Sequence, residues 1–229
     1  MAYSFISDTH GSASGSASSI NAPAVAANPG SLLVIAARYV NATAQTVTMS
    51  DNVGGNVYNP IASYYNSPNT NGVSFFYALN SASGFVTYTA NYTAACTNRA
   101  IYVGQYTGLT NLITSNGQEN ESPGTGADAY TSGPAPVGIV PAMMWGFIDP
   151  VHNFNITPSS GTGFTARSAC WDFALGTNFA LAEDERVIVT GNLPATFTVA
   201  EASGRYVFMA AFQEVIIQQI VSTGIFVTP

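Results

Sequence analysis

The sequence predicts one all-β domain, an antiparallel sandwich or jelly roll. Three observations carry that expectation. Stretches rich in β-branched and aromatic residues alternate with period two, as in Val73, Phe75 and Tyr77 against Ser74, Phe76 and Ala78. Clusters of Gly, Asn, Ser and Pro interrupt them at short spacing. Almost no stretch reads as a helix, so many short strands must pack as two sheets. A chain of 229 residues that is 47% apolar has material for one such core.

Residues 11–30 are small, polar and aperiodic, offering little to bury against the cost of ordering. With the short apolar group Tyr3, Phe5 and Ile6 ahead of them, residues 1–30 read as an N-terminal arm or linker. Such an arm is either a flexible tail or a segment ordered only by a neighbouring subunit. The sandwich itself is expected over residues 31–212, followed by a C-terminal apolar extension, 213–229.

Within the domain the first strand is Ser31–Val40, apolar enough to be central, and Ala44–Met49 follows. Asp51–Asn56 (DNVGGN) is a turn, since Gly and Asn adopt positive φ at little cost. Val57–Tyr65 leads into a second turn at Asn66–Gly72. The stretch Asn71–Leu109 then reads as three strands, with a loop through Cys96 ahead of the last, Ala100–Tyr106. Ser115–Gly126 reads as a long exposed loop, followed by a strand at Ala127–Thr131. Val140–Ile148 is a buried strand. Further strands are expected at Phe164–Phe173, Asn178–Leu181, Arg186–Thr190, Ala195–Ala200 and Arg205–Phe212. Gln213–Pro229 is either a short helix or further strand, packed back on the core or reaching a neighbour.

Charge narrows the function classes. Only 7% of residues are charged, against about 25% in ordinary soluble domains. There is no Lys; the cations are Arg38, Arg99, Arg167, Arg186 and Arg205. A net charge of −7 with no basic patch argues against nucleic acid and against a polybasic membrane contact. The first ten residues have neither a basic region nor an apolar one, so a signal peptide is not expected.

Residues able to carry chemistry are few. His10 falls in the arm and His152 in a turn beside Asp149, with Asp172 further on. No serine stands in a nucleophile-elbow context, so both histidines read as loop residues. Glu183-Asp184-Glu185 has the residue types for glycoside cleavage but reads first as a solvated turn before a strand. Asp51, Asn52 and Asn56 offer oxygen ligands without the spacing of a calcium loop, and a hydrogen-bonded turn is the plainer reading. Cys96 and Cys170 are expected as two reduced, buried thiols rather than a disulfide. Tyr58, Tyr64, Tyr65, Tyr88, Tyr92 and Tyr102 suggest a sugar-stacking platform, against the alternative that they cover sheet faces. No catalytic, cofactor or metal residue is assigned, and no cofactor is expected.

The stretches SLLVIAARYV, VTMSDNVGGNVYNPIASYYNSPNTNGVSFFYALN, AIYVGQYTGL and DERVIVTGNLPATFTVAEASGRYVFMAAFQ carry a resemblance. Across roughly residues 30–213 they resemble uncharacterised β-sandwich domains of bacterial surface proteins and bacteriophage structural proteins. Tyr58 stands where that pattern has Trp, and Gly104-Gln105 replaces Ala-Glu ahead of Tyr106. The resemblance implies a fold and a context, not an activity. The resulting expectation is a non-enzymatic structural component of a bacteriophage virion, such as a capsid decoration (cement) or fibre-associated protein. It would be made in the host cytoplasm and assemble through its terminal segments with copies of itself and other virion proteins. The alternative is a carbohydrate-binding module for cell-surface glycans.

Overall fold

The computed structural model describes residues 2–80, 82–120, 128–150, 157–171, 180–200 and 204–215. In chain order the strands are β1 (Ser4–Ala13), β2 (Ala17–Asn21), β3 (Val25–Ala27), β4 (Leu32–Val40), β5 (Val47–Asp51) and β6 (Asn59–Asn66). Next come β7 (Asn71–Leu79), β8 (Gly84–Val86), β9 (Tyr88–Thr107), β10 (Leu109–Asn120), β11 (Asp128–Thr131), β12 (Ala135–Val137) and β13 (Ala142–Pro150). The last are β14 (Ser159–Ser160), β15 (Thr165–Cys170), β16 (Ala180–Val187), β17 (Gly191–Leu193), β18 (Thr196–Val199) and β19 (Arg205–Glu214). The described residues contain no helix, and every strand pairing among them is antiparallel.

Two sheets face each other as a sandwich. The first runs β1-β9-β4-β7-β6 and the second β10-β19-β13-β16-β15. Strand alternation sends Leu32, Val34 and Ala36 of β4 and Phe75 of β7 towards Trp145 and Phe147 of β13 and Phe208 of β19. Phe75 and Phe208 stack across the gap at a centroid distance of 4.0 Å, and Phe147 meets Phe75 edge-on. The opposite faces are also covered. Leu33, Ile35 and Ala37 lie under Val47, Val86, Tyr88 and Ala90. Met144, Met209 and Ala211 lie under Tyr130, Val137, Phe197 and Val199. A strand buried on both faces has no reason to alternate, which is why β4 reads as a continuous apolar run.

β9 is the strand that links the layers. The sequence suggests a break near Cys96, but the chain continues as one strand from Tyr88 to Thr107. Its first part pairs with β2 and β5 in the covering layer, and its second with β1 and β4 in the main sheet. Between them the register against β4 shifts, and Asn98 adopts a φ of 41°. Asn is among the few side chains that tolerate that region.

The expected N-terminal arm takes a different form. Residues 4–21 run along β9 as β1 and β2, and β3 pairs with β8. Backbone pairing orders most of this segment, and a few apolar side chains anchor it: Phe5 packs on the inter-sheet core, and Ile20, Ala22 and Val25 on the outer one. Arg99 fixes the bend by donating to the carbonyls of Ser19 and Gly15. Residues 115–120, expected in a loop, are the far half of β10 and pair with β19. At the C-terminus, Gln213 and Glu214 belong to β19, and Val215 N–H donates to Gly108 C=O at 2.8 Å. The rest of the extension lies outside the described residues.

Side chains close both flanks of the sandwich. On one, Tyr3 O–H donates to Asp184 Oδ1 at 2.8 Å, and Ser168 O–H to Asp8 Oδ1 at 2.7 Å. On the other, Asn66 Nδ2 donates to Glu119 Oε1.

Candidate functional site

A groove of about 620 Å³ lies between β5 and β6. Val47, Met49 and Phe76 form its apolar part, and Thr46, Thr48, Asn56, Tyr58 and Ser63 its polar rim. Both strands are edges here: among the described residues β5 pairs with β9 alone, and β6 with β7 alone. Thr93 N–H donates to Thr46 C=O and Asn52 N–H to Thr87 C=O, so alternate residues of β5 face β9. By the antiparallel rule, the main-chain groups of Val47, Met49 and Asp51 therefore point away from β9.

The Asp51–Asn56 turn shapes one end of the groove. Asp51 Oδ1 accepts the N–H groups of Val53 and Gly54, while Oδ2 accepts Tyr58 O–H at 2.7 Å and Asn56 Nδ2 at 3.0 Å. Partial burial pushes this carboxyl up, but hydrogen bonds led by that of Tyr58 outweigh it and hold the group below its ordinary value. Four donors occupy the oxygens that a calcium ion would need, so the plainer turn reading describes Asp51, Asn52 and Asn56. No cluster of three or more His, Cys, Asp or Glu able to hold a metal occurs among the described residues. With hydroxyls, amides and an apolar floor, the groove has the chemistry to take a neutral, hydroxyl-bearing ligand or an extended backbone.

The tyrosines suggested as a platform do not share a face. Tyr102 is buried between the sheets, and Tyr88 and Tyr92 are buried under the covering layer. Tyr64 packs on the inter-sheet core, and Tyr58 and Tyr65 on the outer one. The reason is the covering layer, which buries the tyrosines of the first part of β9. Only Tyr58 reaches the groove.

The acidic triplet is not a solvated turn. Glu183, Asp184 and Glu185 lie within β16, and the first two are buried. Alternation sends neighbours to opposite faces, so Glu183 and Asp184 cannot work as an acid–base pair on one substrate. Asp184 accepts Tyr106 O–H at 2.9 Å, Tyr3 O–H, and a two-nitrogen fork from Arg167. Glu183 accepts Gly161 N–H at 2.9 Å, and burial pushes its carboxyl up to about 8.

Asp149 is equally committed. It lies 3.2 Å from Arg38, both wholly inaccessible, and burial pushes its carboxyl up to about 7 against the pull of Arg38 and Arg205. His152 and Asp172, its suggested partners, lie outside the described residues. His10 sits in β1 opposite Tyr102. Cys96 and Cys170 are both free and buried, as expected.

No family model, curated protein or solved structure matches this chain.

Proposed function

We propose that the protein is a non-enzymatic structural subunit of an assembly, of the kind found as decoration or fibre-associated components of a bacteriophage virion. The observation that carries this reading is where the acidic side chains are committed. Asp8, Asp149, Asp184 and Glu214 each hold two parts of the fold together through hydrogen bonds or ion pairs, and Asp51 closes its own turn. Such internal clasps favour a rigid body that stands on a surface over a site that must exchange protons with substrate. The low charge and the resemblance in the strand and turn patterns support the same context. Since residues 4–27 pair within the chain, self-assembly through a terminal segment falls to residues 216–229.

The test is the solution mass of the full chain, by light scattering across a concentration series. A stable oligomer supports the structural reading. A monomer that neither self-associates nor binds an isolated phage particle overturns it.

A second reading rests on the groove between β5 and β6: a module that holds a neutral glycan against Tyr58 and Met49. Retention on a glycan array, abolished by Tyr58→Ala in a chain that remains folded, is the result that reading requires.

A further inference from the structure

Large aliphatic side chains are left exposed at one end of the sandwich. Strand registers locate that end. Leu32, Leu79 and Tyr106 are neighbours in the first sheet, while Ala142, Val187 and Gln213 are neighbours in the second. Val57 (71% exposed) and Leu79 (53%) line a hollow with Thr110 and Asn111, from the start of β10. On the second sheet's side are Ile139, Ile188 and Val189, with Ile188 and Val189 each about two-thirds exposed. Val137 of β12 pairs with Gly191 of β17, so Ile139 follows the end of one strand of this pair and Val189 precedes the start of the other.

The chain leaves the sandwich between these two groups. Val215 N–H is held by Gly108 C=O, next to β10, and Glu214 N–H by Pro141 C=O, two residues from Ile139. The next stretch, Ile216–Pro229 (IIQQIVSTGIFVTP), carries no charge and has two apolar arms separated by Ser222-Thr223-Gly224. Extended, it reaches roughly 45 Å at ~3.3 Å per residue.

We infer that this apolar end docks a second copy of the same chain, each copy laying its Ile216–Val227 segment over the other's Val57, Leu79, Ile139, Ile188 and Val189. Charge restricts where two copies can meet. Two chains of net charge −7 repel, and they meet at least cost where carboxylates are few or neutralised. The acidic groups placed beside this end are Glu214, which Arg186 neutralises through a two-nitrogen fork at 2.6 and 3.0 Å, Glu185, and Asp51, whose oxygens are taken up by Tyr58, Asn56 and the turn's N–H groups next to Val57. Geometry favours this partner. A surface and a segment at the same end make a self-complementary contact that closes at two copies about a two-fold axis. An open apolar face of this kind is otherwise an aggregation liability. The inference rests on the structural reading above and names the contact it needs.

The test mixes two full-length chains. One is methyl-labelled at isoleucine; the other is unlabelled and carries a nitroxide on Thr228→Cys. Cys96 and Cys170, at 1% and 0% exposure, leave the new thiol as the reactive one. In the mixture, the Ile139 and Ile188 methyl signals are expected to fall at least twofold relative to Ile35 and Ile101 in the core. Ile188→Asp in the full chain is expected to shift the dimer to monomer while its far-ultraviolet spectrum stays that of a β protein. An oligomer whose Ile139 and Ile188 signals do not fall overturns this contact but leaves the structural reading standing. A monomer overturns this contact, and overturns the structural reading as well if it also fails to bind an isolated phage particle. Signal loss seen only with nitroxide and isotope in one molecule means the segment folds back on its own chain, and that too overturns the inference.

Discussion

The guanidinium of Arg38 lies 3.2 Å from the carboxylate of Asp149, and neither side chain has any contact with solvent. The pair ties β4 of one sheet to β13 of the other at one end of the inter-sheet core. Arg38 also donates to Asn71 Oδ1 and to Asn98 C=O.

Removing one partner leaves the other charge buried. Arg38→Met is expected to cost about 3–5 kcal/mol in urea unfolding, and Asp149→Asn a similar amount. The double variant Arg38→Met/Asp149→Leu is expected to cost less than the sum of the two. Additive losses would mean that the two side chains do not act as a pair.

Among the described residues, Glu183 has no cationic partner to hold its charge. Its carboxyl stands at about 8 in the folded chain and 4.5 as the ordinary value. Between those values the folded chain keeps a proton that the unfolded chain has released, so stability falls as pH rises from about 4.5 to 8. The slope from this group approaches ~1.4 kcal/mol per pH unit. Asp149, raised from 3.8 to about 7, adds a slope of the same sign over its own window. Glu183→Gln should flatten the denaturation midpoint against pH between 7 and 8. An unchanged profile would show that Glu183 is ionised in the folded chain.

Asp184 secures β1 to the second sheet. Asp184→Asn weakens the Arg167 fork and loses an acceptor for Tyr3 or Tyr106, so β1 should loosen before the core does. Amide hydrogen exchange in Ser4–Ala13 is expected to accelerate at least tenfold, with β13 little changed. Equal acceleration of both would place Asp184 in the global stability of the fold, with no special hold on β1.

Close approach of the N-terminal strands depends on one glycine. A Cβ on Gly11 would lie 2.1 Å from the carbonyl oxygen of Asn21, whereas one on Gly15 meets nothing within 4 Å. Gly11→Ala is expected to destabilise by about 1–3 kcal/mol, and Gly15→Ala to change the thermal midpoint little.

The fold class was legible because period-two alternation and turn residues are local signals. Ser31–Val40, Val140–Ile148 and Arg205–Phe212 announced their strands through composition alone. Misread segments were those ordered by distant partners. Residues 11–27 and 115–120 are small or polar stretches whose backbone is held largely by β9, β8 and β19, and no local pattern encodes such pairing. The acidic triplet looked solvated because three adjacent carboxylates normally are, and its partners Tyr3, Tyr106 and Arg167 are scattered along the chain. Some sign of the buried pair was present, since Arg38 and Asp149 are lone charges in otherwise apolar strands. The groove was less legible, because it depends on which strand edges remain open.

The dependence of the N-terminal strands on β9 also has a temporal side. Asn21 pairs with Thr89 and Ser4 with Thr107. A ribosome adding about 5–20 residues per second needs roughly 3–20 s to make the chain between such partners. For that interval residues 4–21 emerge as an open strand with nothing to bind. A more apolar sequence there would invite other nascent chains to pair with it. The run of Ser, Gly and Ala that makes this segment resemble a loose arm is what lets it wait in water until its partner is synthesised.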